Sequence, residues 1–221
     1  MIGMVRRRLQ AVRDNREAGV SIMELIISML IFSFVLVVFM GAIVSMVRAT
    51  SRNQVVSDTS TQLRTVYQRL DKEVRYASDI NTPGTSGGNI YIEYWMPASA
   101  ATGQSTCVQW RYVAASKELQ RRSWLQGDPS SVTPWITMVT RLRNDLSQST
   151  QQPFVVYRAG AFGGKVYTHQ RLDVFLDSGL SSSPNQGGQL KVSLVAQNSA
   201  TTSVTNTGTQ KVCLVGGVQR P

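Results

Sequence analysis

The sequence predicts an α+β chain in which one long N-terminal helix precedes an antiparallel β domain. Three observations predict it. From Leu25 to Val47 the chain is an apolar run without charge or proline. From Leu63 to Ala77 apolar residues recur at helical spacing. Beyond Asn81, short segments alternate apolar and polar residues between loops rich in glycine, serine, asparagine and threonine.

The first element is the strongest. The run LIISMLIFSFVLVVFMGAIVSMV meets the length of about 20 apolar residues that a bilayer-spanning helix needs. A helix of a soluble core is rarely apolar on every side for so long. Arg6, Arg7, Arg8, Arg13 and Arg16 stand before the run, against Arg48 and Arg52 just beyond it. This cationic excess predicts a single-pass protein of the cytoplasmic membrane, with the N-terminus inside and the C-terminal domain outside.

The apolar run then continues into a second, amphipathic stretch. Leu63, Val66, Tyr67, Leu70, Val74 and Ala77 form one face, with Arg64, Arg69, Asp71, Lys72, Arg75 and Asp79 between them. An unbroken helix from about Val20 to Ser78 would be roughly 90 Å long. Asn81, Pro83, Gly84, Gly87 and Gly88 stop it.

Strands are expected at Asn89 to Trp95 and at Cys107 to Val113, both half-buried, with Lys117 to Trp124 completing a hairpin. Trp135, Met138, Val139, Leu142 and Leu146 suit a short amphipathic helix, or a strand. Further strands are expected at Phe154 to Arg158, at Arg171 to Asp177, at Leu190 to Gln197 and around Cys213. The segments Ser178 to Gly188 and Asn198 to Gln210 read as mobile loops too polar to bury.

Of the 221 residues only Cys107 and Cys213 are cysteines. In an exported domain one disulfide is the simplest reading, two buried thiols the alternative. A bridge across roughly 100 residues contributes about 4 to 5 kcal/mol in the chain-entropy account.

Near the start of the apolar run, Gly19 ends the basic leader and one acid, Glu24, follows within AGVSIMELIIS. An ordinary secretory signal is cut after its apolar run, whereas here the small residue precedes it. A carboxylate so close to hydrocarbon is costly unless it meets a cation.

Gly19, Val20, Ser21, Ile22, Met23 and Glu24, followed by the hydrophobic stretch, resemble the cleavage and methylation signature of type IV prepilins and pseudopilins. Val20 stands where the family usually has phenylalanine. The resemblance implies a pilin-like fold divided into a cleaved leader (1–19), a transmembrane and filament-core helix (20–47), its amphipathic continuation (48–79) and an extracytoplasmic β-rich domain (80–221). It also implies that a prepilin peptidase cuts after Gly19 and methylates Val20, and that in the filament Glu24 pairs with the new amine of a neighbouring subunit. Gly41 lies near the place where many major pilins have a proline; in a helix it costs roughly 1 kcal/mol relative to alanine. The large, loop-rich domain is similar to the J-type pseudopilins and W-type minor pilins. The expected role is therefore structural: a subunit of a pilus, type II secretion or competence filament, with sister pilins or pseudopilins as partners.

Two other functions are readable. The formal net charge is +10, and loss of the leader removes +3 and leaves +7, which favours anionic partners. Arg111, Arg121 and Arg122, beside Trp110, Tyr112 and Trp124, form a candidate contact for DNA or an anionic surface, as in DNA uptake or adhesion. The bland reading is a solvated basic face with inward aromatics.

The third reading is a signal-anchored exported enzyme. Gly84-Thr85-Ser86-Gly87-Gly88 fits G-x-S-x-G but lacks the strand before it and the helix after it, and the only histidine, His169, reads as an ordinary strand residue. Gly160, Gly163, Gly164 and Lys165 fail the spacing of a phosphate loop. One histidine and two distant cysteines make no usual zinc site. No catalytic residue, metal or cofactor is expected.

Overall fold

The computed structural model describes residues 21–98, 103–162, 164–180, 187–207 and 210–213. It has one long helix followed by antiparallel sheets, and the chain divides into two compact units, residues 1–51 and 52–221. Helix α1 spans Ile22–Arg75 and contributes to both. The expected helix from Val20 to Ser78 thus ends at Arg75.

In the first unit, α1 opens with the Ser21 carbonyl accepting from the Leu25 N–H at 3.1 Å. The helix is unbroken through Gly41, and every one of its residues to Thr50 is exposed. No charge lies between Glu24 and Arg48, so this surface is almost wholly apolar.

In the second unit, the amphipathic part of α1 buries Leu63, Val66, Leu70 and Val74, followed just past its end by Ala77. Tyr67 lies at the margin of this face and stays 40% exposed. Lys72 and Arg75 occupy the last turn, where cations favour the negative helix end.

Among the described residues eleven strands follow: β1 (Asp79–Ile80), β2 (Gly84–Ser86), β3 (Asn89–Met96), β4 (Thr106–Val113), β5 (Glu118–Leu125), β6 (Ile136–Val139), β7 (Phe154–Tyr157), β8 (Gly160–Phe162), β9 (Lys165–Tyr167), β10 (Arg171–Gly179) and β11 (Gly187–Val195). The larger sheet runs β1-β3-β4-β5-β6, with β2 also paired to β3, and the second sheet is β11-β10-β7. Gly87 and Gly88, at φ 55° and 78°, make the two-residue turn joining β2 to β3, with Ser86 opposite Asn89. The G-x-S-x-G match is therefore a hairpin, not a strand-to-helix elbow. Gly160 and Lys165 likewise belong to paired strands, Gly160 of β8 opposite Tyr167 and Lys165 of β9 opposite Phe162.

Ile92, Tyr94, Val108, Trp110, Tyr112, Leu119 and Val139 of the larger sheet join α1, and Leu172, Val174, Leu176 and Leu194 of the second sheet, in one core. The sheets meet where Leu142 bridges Ser178, and the Leu142 N–H bonds the Lys117 carbonyl at 2.9 Å. At the first residue of β11, paired with Gly179 at the end of β10, a Cβ on Gly187 would lie 1.9 Å from the Ser178 oxygen, so only glycine fits there.

Several expectations are corrected. Of the two readings of Trp135 to Leu146 the strand is the one found: Ile136, Thr137 and Val139 pair with β5 as β6, and Leu142 bridges Ser178. No strand surrounds Cys213 among the described residues 210–213. Ser178, Gly187 and Gly188 belong to β10 and β11 rather than to a loop. Within the expected mobile loop after Asn198, Ser199 and Thr205 are buried. There the Ser199 hydroxyl accepts from the Gln170 N–H, and Thr205 donates to Asp79 through its hydroxyl at 2.9 Å. Polar residues bury well when each finds a partner. His169 precedes β10, with Nδ1 2.7 Å from the Ser199 carbonyl.

The outer face of the larger sheet is also covered, where a half-solvated one was expected. Tyr91, Glu93, Cys107 and Gln109 on that face are all fully buried. Cys107 and Cys213 form the expected disulfide, with Cα atoms 5.5 Å apart. Trp95, Trp124, Val132 and Val212 pack around it.

Candidate functional site

The sequence points to two places, one at the start of α1 and one on β4 and β5. Gly19 and Val20 lie outside the described residues. Glu24 is in the first turn of α1, exposed, where the positive end of the helix favours a carboxylate. Around it stand Ile22, Met23, Leu25, Ile26 and Ile27, each about half exposed or more. The same apolar surface extends to Met46 and Val47, and α1 is long and apolar enough to cross a membrane. Burying one such side chain is worth about 1.5 to 3 kcal/mol, so the whole run forgoes tens of kcal/mol in water.

The basic strip does not hold together as grouped. Successive strand residues point to opposite faces. Arg121 therefore faces the core, opposite Trp110 in register, and Arg122 faces outward, opposite Gln109. Arg121 is 7% exposed, and its Nη2 lies 2.7 Å from Glu73 Oε1. The same carboxylate takes a hydrogen bond from Tyr94 Oη, and Tyr94 accepts one from Trp110 Nε1 at 2.8 Å. Burial, and then the Glu73 charge, push the Tyr94 phenol well above its usual range. This network fastens α1 to the sheet, so Arg121 is withdrawn as an anion contact.

Arg111 and Arg122 remain together on the outer face. Their guanidinium carbons lie 4.0 and 4.3 Å from the centroid of the Trp135 ring. Arg111 Nε donates to Gln120 Oε1 at 2.8 Å, and Arg122 Nε to Gln109 Oε1 at 2.7 Å. Burial, and next the charge of Arg111, draw the Arg122 pKa down from its ordinary value. Sequence reasoning missed Trp135, which sits on the connection before β6 and comes over Arg111 and Arg122 only through the fold. The facing of Arg121 was available from the period of two.

Between β3 and the C-terminal segment lies a buried carboxylate, Glu93. Gln109 Nε2 donates to it at 2.8 Å and Asn81 Nδ2 at 3.0 Å. Asn81 also exchanges two hydrogen bonds with the Val212 backbone, each 2.9 Å. Among the described residues no group of three or more histidine, cysteine or acidic side chains could hold a metal ion.

Compared with protein families, curated proteins and solved structures, the chain matches none.

Proposed function

We propose that this chain is a minor pilin or pseudopilin, a structural subunit of a type IV pilus-like filament. The observation that carries the reading is the apolar half of α1, exposed along its whole length, whose one charge before Arg48 is Glu24 in its first turn. The prepilin-like residues Gly19 to Glu24 supply the rest of the support. In this reading a prepilin peptidase removes residues 1–19 and methylates Val20, and the subunit waits in the cytoplasmic membrane with its β domain outside. On extraction into the filament, neighbouring apolar helices replace the lipid, and Glu24 pairs with the Val20 amine of another subunit. In a low-dielectric setting, a carboxylate left without its cation costs several kcal/mol, which makes the pair a device for register. The chain performs no catalysis.

Glu24→Gln is expected to lower the amount of this subunit in sheared filaments at least tenfold while leaving its level in the membrane unchanged. Quantitative immunoblotting of both fractions checks this. Equal incorporation of the variant would remove the assembly role of Glu24.

A further inference from the structure

We propose that Lys117 and Arg141, at the junction of the two sheets, form a binding site for a phosphate monoester. The proposal does not rest on filament assembly, since none of the residues lining the site lies in α1.

Among the described residues, three that are not glycine have a left-handed backbone: Lys117 at φ 55°, Arg141 at 57° and Cys213 at 64°. That conformation crowds the Cβ, and glycine or asparagine fills it more readily. Cys213 is held by its disulfide. The other two are both cations, and they line one open cleft of about 600 Å³. Strain of this kind persists where the surrounding structure holds it, and it concentrates at ligand sites. Here the surroundings do hold it. The Leu142 N–H bonds the Lys117 carbonyl, and the Gly179 N–H bonds the Arg141 carbonyl at 3.0 Å. Just before Arg141, the Thr140 carbonyl accepts from the Ser178 hydroxyl at 2.7 Å, and the Thr140 N–H donates to Gln62 Oε1 at 3.1 Å. The backbone carrying both cations is therefore fixed before a ligand arrives, which lowers the ordering cost of binding.

The electrostatics select the ligand. Lys117 and Arg141 are exposed, and neither side chain has a hydrogen bond or ion pair among the described residues. Arg143, also in the lining, is compensated by Asp177 at 2.7 Å, which takes a second bond from Gln189. Glu118, next to Lys117 in the chain, takes a hydrogen bond from Gln120 at 2.6 Å. The hydroxyls of Ser116 and Thr140 line the cleft as well, without partners among the described residues. Two uncompensated positive charges and two hydroxyls fit a phosphate monoester, which carries about −1.5 to −2 near neutral pH. A carboxylate or a phosphodiester brings a single charge. The guanidinium fork and the ammonium are both good phosphate binders. The volume is that of a small-molecule site rather than of a bare ion, and Leu142 and Leu180 supply apolar wall for the organic part.

The test uses the full-length chain in an uncharged detergent and isothermal titration calorimetry. The ligands are phenyl phosphate, inorganic phosphate and acetate, at constant ionic strength and about pH 8, where a phosphate carries close to two charges. Wild type is expected to bind phenyl phosphate most tightly, and both phosphates at least tenfold more tightly than acetate. Lys117→Gln and Arg141→Gln should each weaken phosphate binding at least tenfold, and Lys191→Gln, exposed on β11, should not. Lys117→Gly and Arg141→Gly take the left-handed backbone with less strain, so they should lose binding likewise and melt no lower than wild type. Equal affinity for the two phosphates would overturn the assignment to an ester. No phosphate binding, acetate binding as tight as phosphate, or an affinity unchanged in the Lys117→Gln, Arg141→Gln double variant overturns the site itself. A lower melting temperature in the glycine variants, with binding retained, does so too by assigning both side chains to the fold. Should the double variant fail to fold, the glycine variants decide.

Discussion

Glu73→Ala is expected to destabilise the β domain by about 3 to 5 kcal/mol. Glu73 is an acid within the apolar face of α1, 8% exposed, and it holds Arg121 with two hydrogen bonds, to Nη2 and Nε, at 2.7 and 3.3 Å. Arg69 Nε adds a third at 3.1 Å from the helix itself. Removing the carboxylate leaves the Arg121 guanidinium buried without its counter-charge and deprives Tyr94 of its acceptor. The intact pair is not thereby a large net source of stability, because both charges had to leave water. The double variant Glu73→Ala, Arg121→Met should therefore recover much of the loss. Urea unfolding of the three proteins checks the argument. A loss below about 1 kcal/mol in the single variant, within reach of an ordinary exposed ion pair, would mean that Arg121 finds water when its partner goes.

Removing the bridge, by Cys107→Ser with Cys213→Ser, is expected to cost about 2 to 5 kcal/mol. The disulfide joins positions 106 residues apart, so it closes most of the β domain into one loop. Among the described residues it also anchors the segment 210–213, which otherwise holds to the sheet through Asn81 and the packing of Val212. At the usual 2 to 4 °C per kcal/mol for a chain of this size, the melting temperature should fall by roughly 10 °C. Wild type treated with reductant should show the same fall. Unchanged melting in the double serine variant would assign the stability of this face to Trp95, Trp124 and Val132 alone.

Local pattern carried much of the fold. The apolar run and the face from Leu63 to Ala77 identified α1, because helical periodicity is a property of contiguous residues. Alternation located β3, β4, β5, β10 and β11 to within a few residues, and the cysteine pair followed from there being only two. What escaped depends on distant partners. Ser199 and Thr205 look too polar to bury until Gln170 and Asp79 are brought to them. The outer face of β3 reads as solvated until the tail bonded to Cys107 covers it. Trp135 to Leu146 has spacing that fits either element, and pairing with β5 decides it.

The candidate site was legible in unequal parts. Glu24 stands out because a lone acid beside an apolar run violates local expectation. Arg121 and Arg122 were legible as a pair of charges, and their opposite facing was implicit in a strand. Glu73 carried a signal too: an acid spaced at three residues from Leu70 and four from Ala77 on a buried face needs a cation, and Arg121 is that cation. Trp135 offered no such signal, being a lone aromatic on a connection.

The central claim is that residues 1–19 are removed and that the mature chain begins at a modified Val20. Intact-mass and N-terminal sequencing of the protein from native membranes, beside a Gly19→Leu variant, tests it most directly. The account predicts a wild-type chain starting at methylated Val20 and a variant that retains Met1. A wild-type chain that still starts at Met1, identical to the variant, would contradict it and leave a signal-anchored domain in place of a filament subunit.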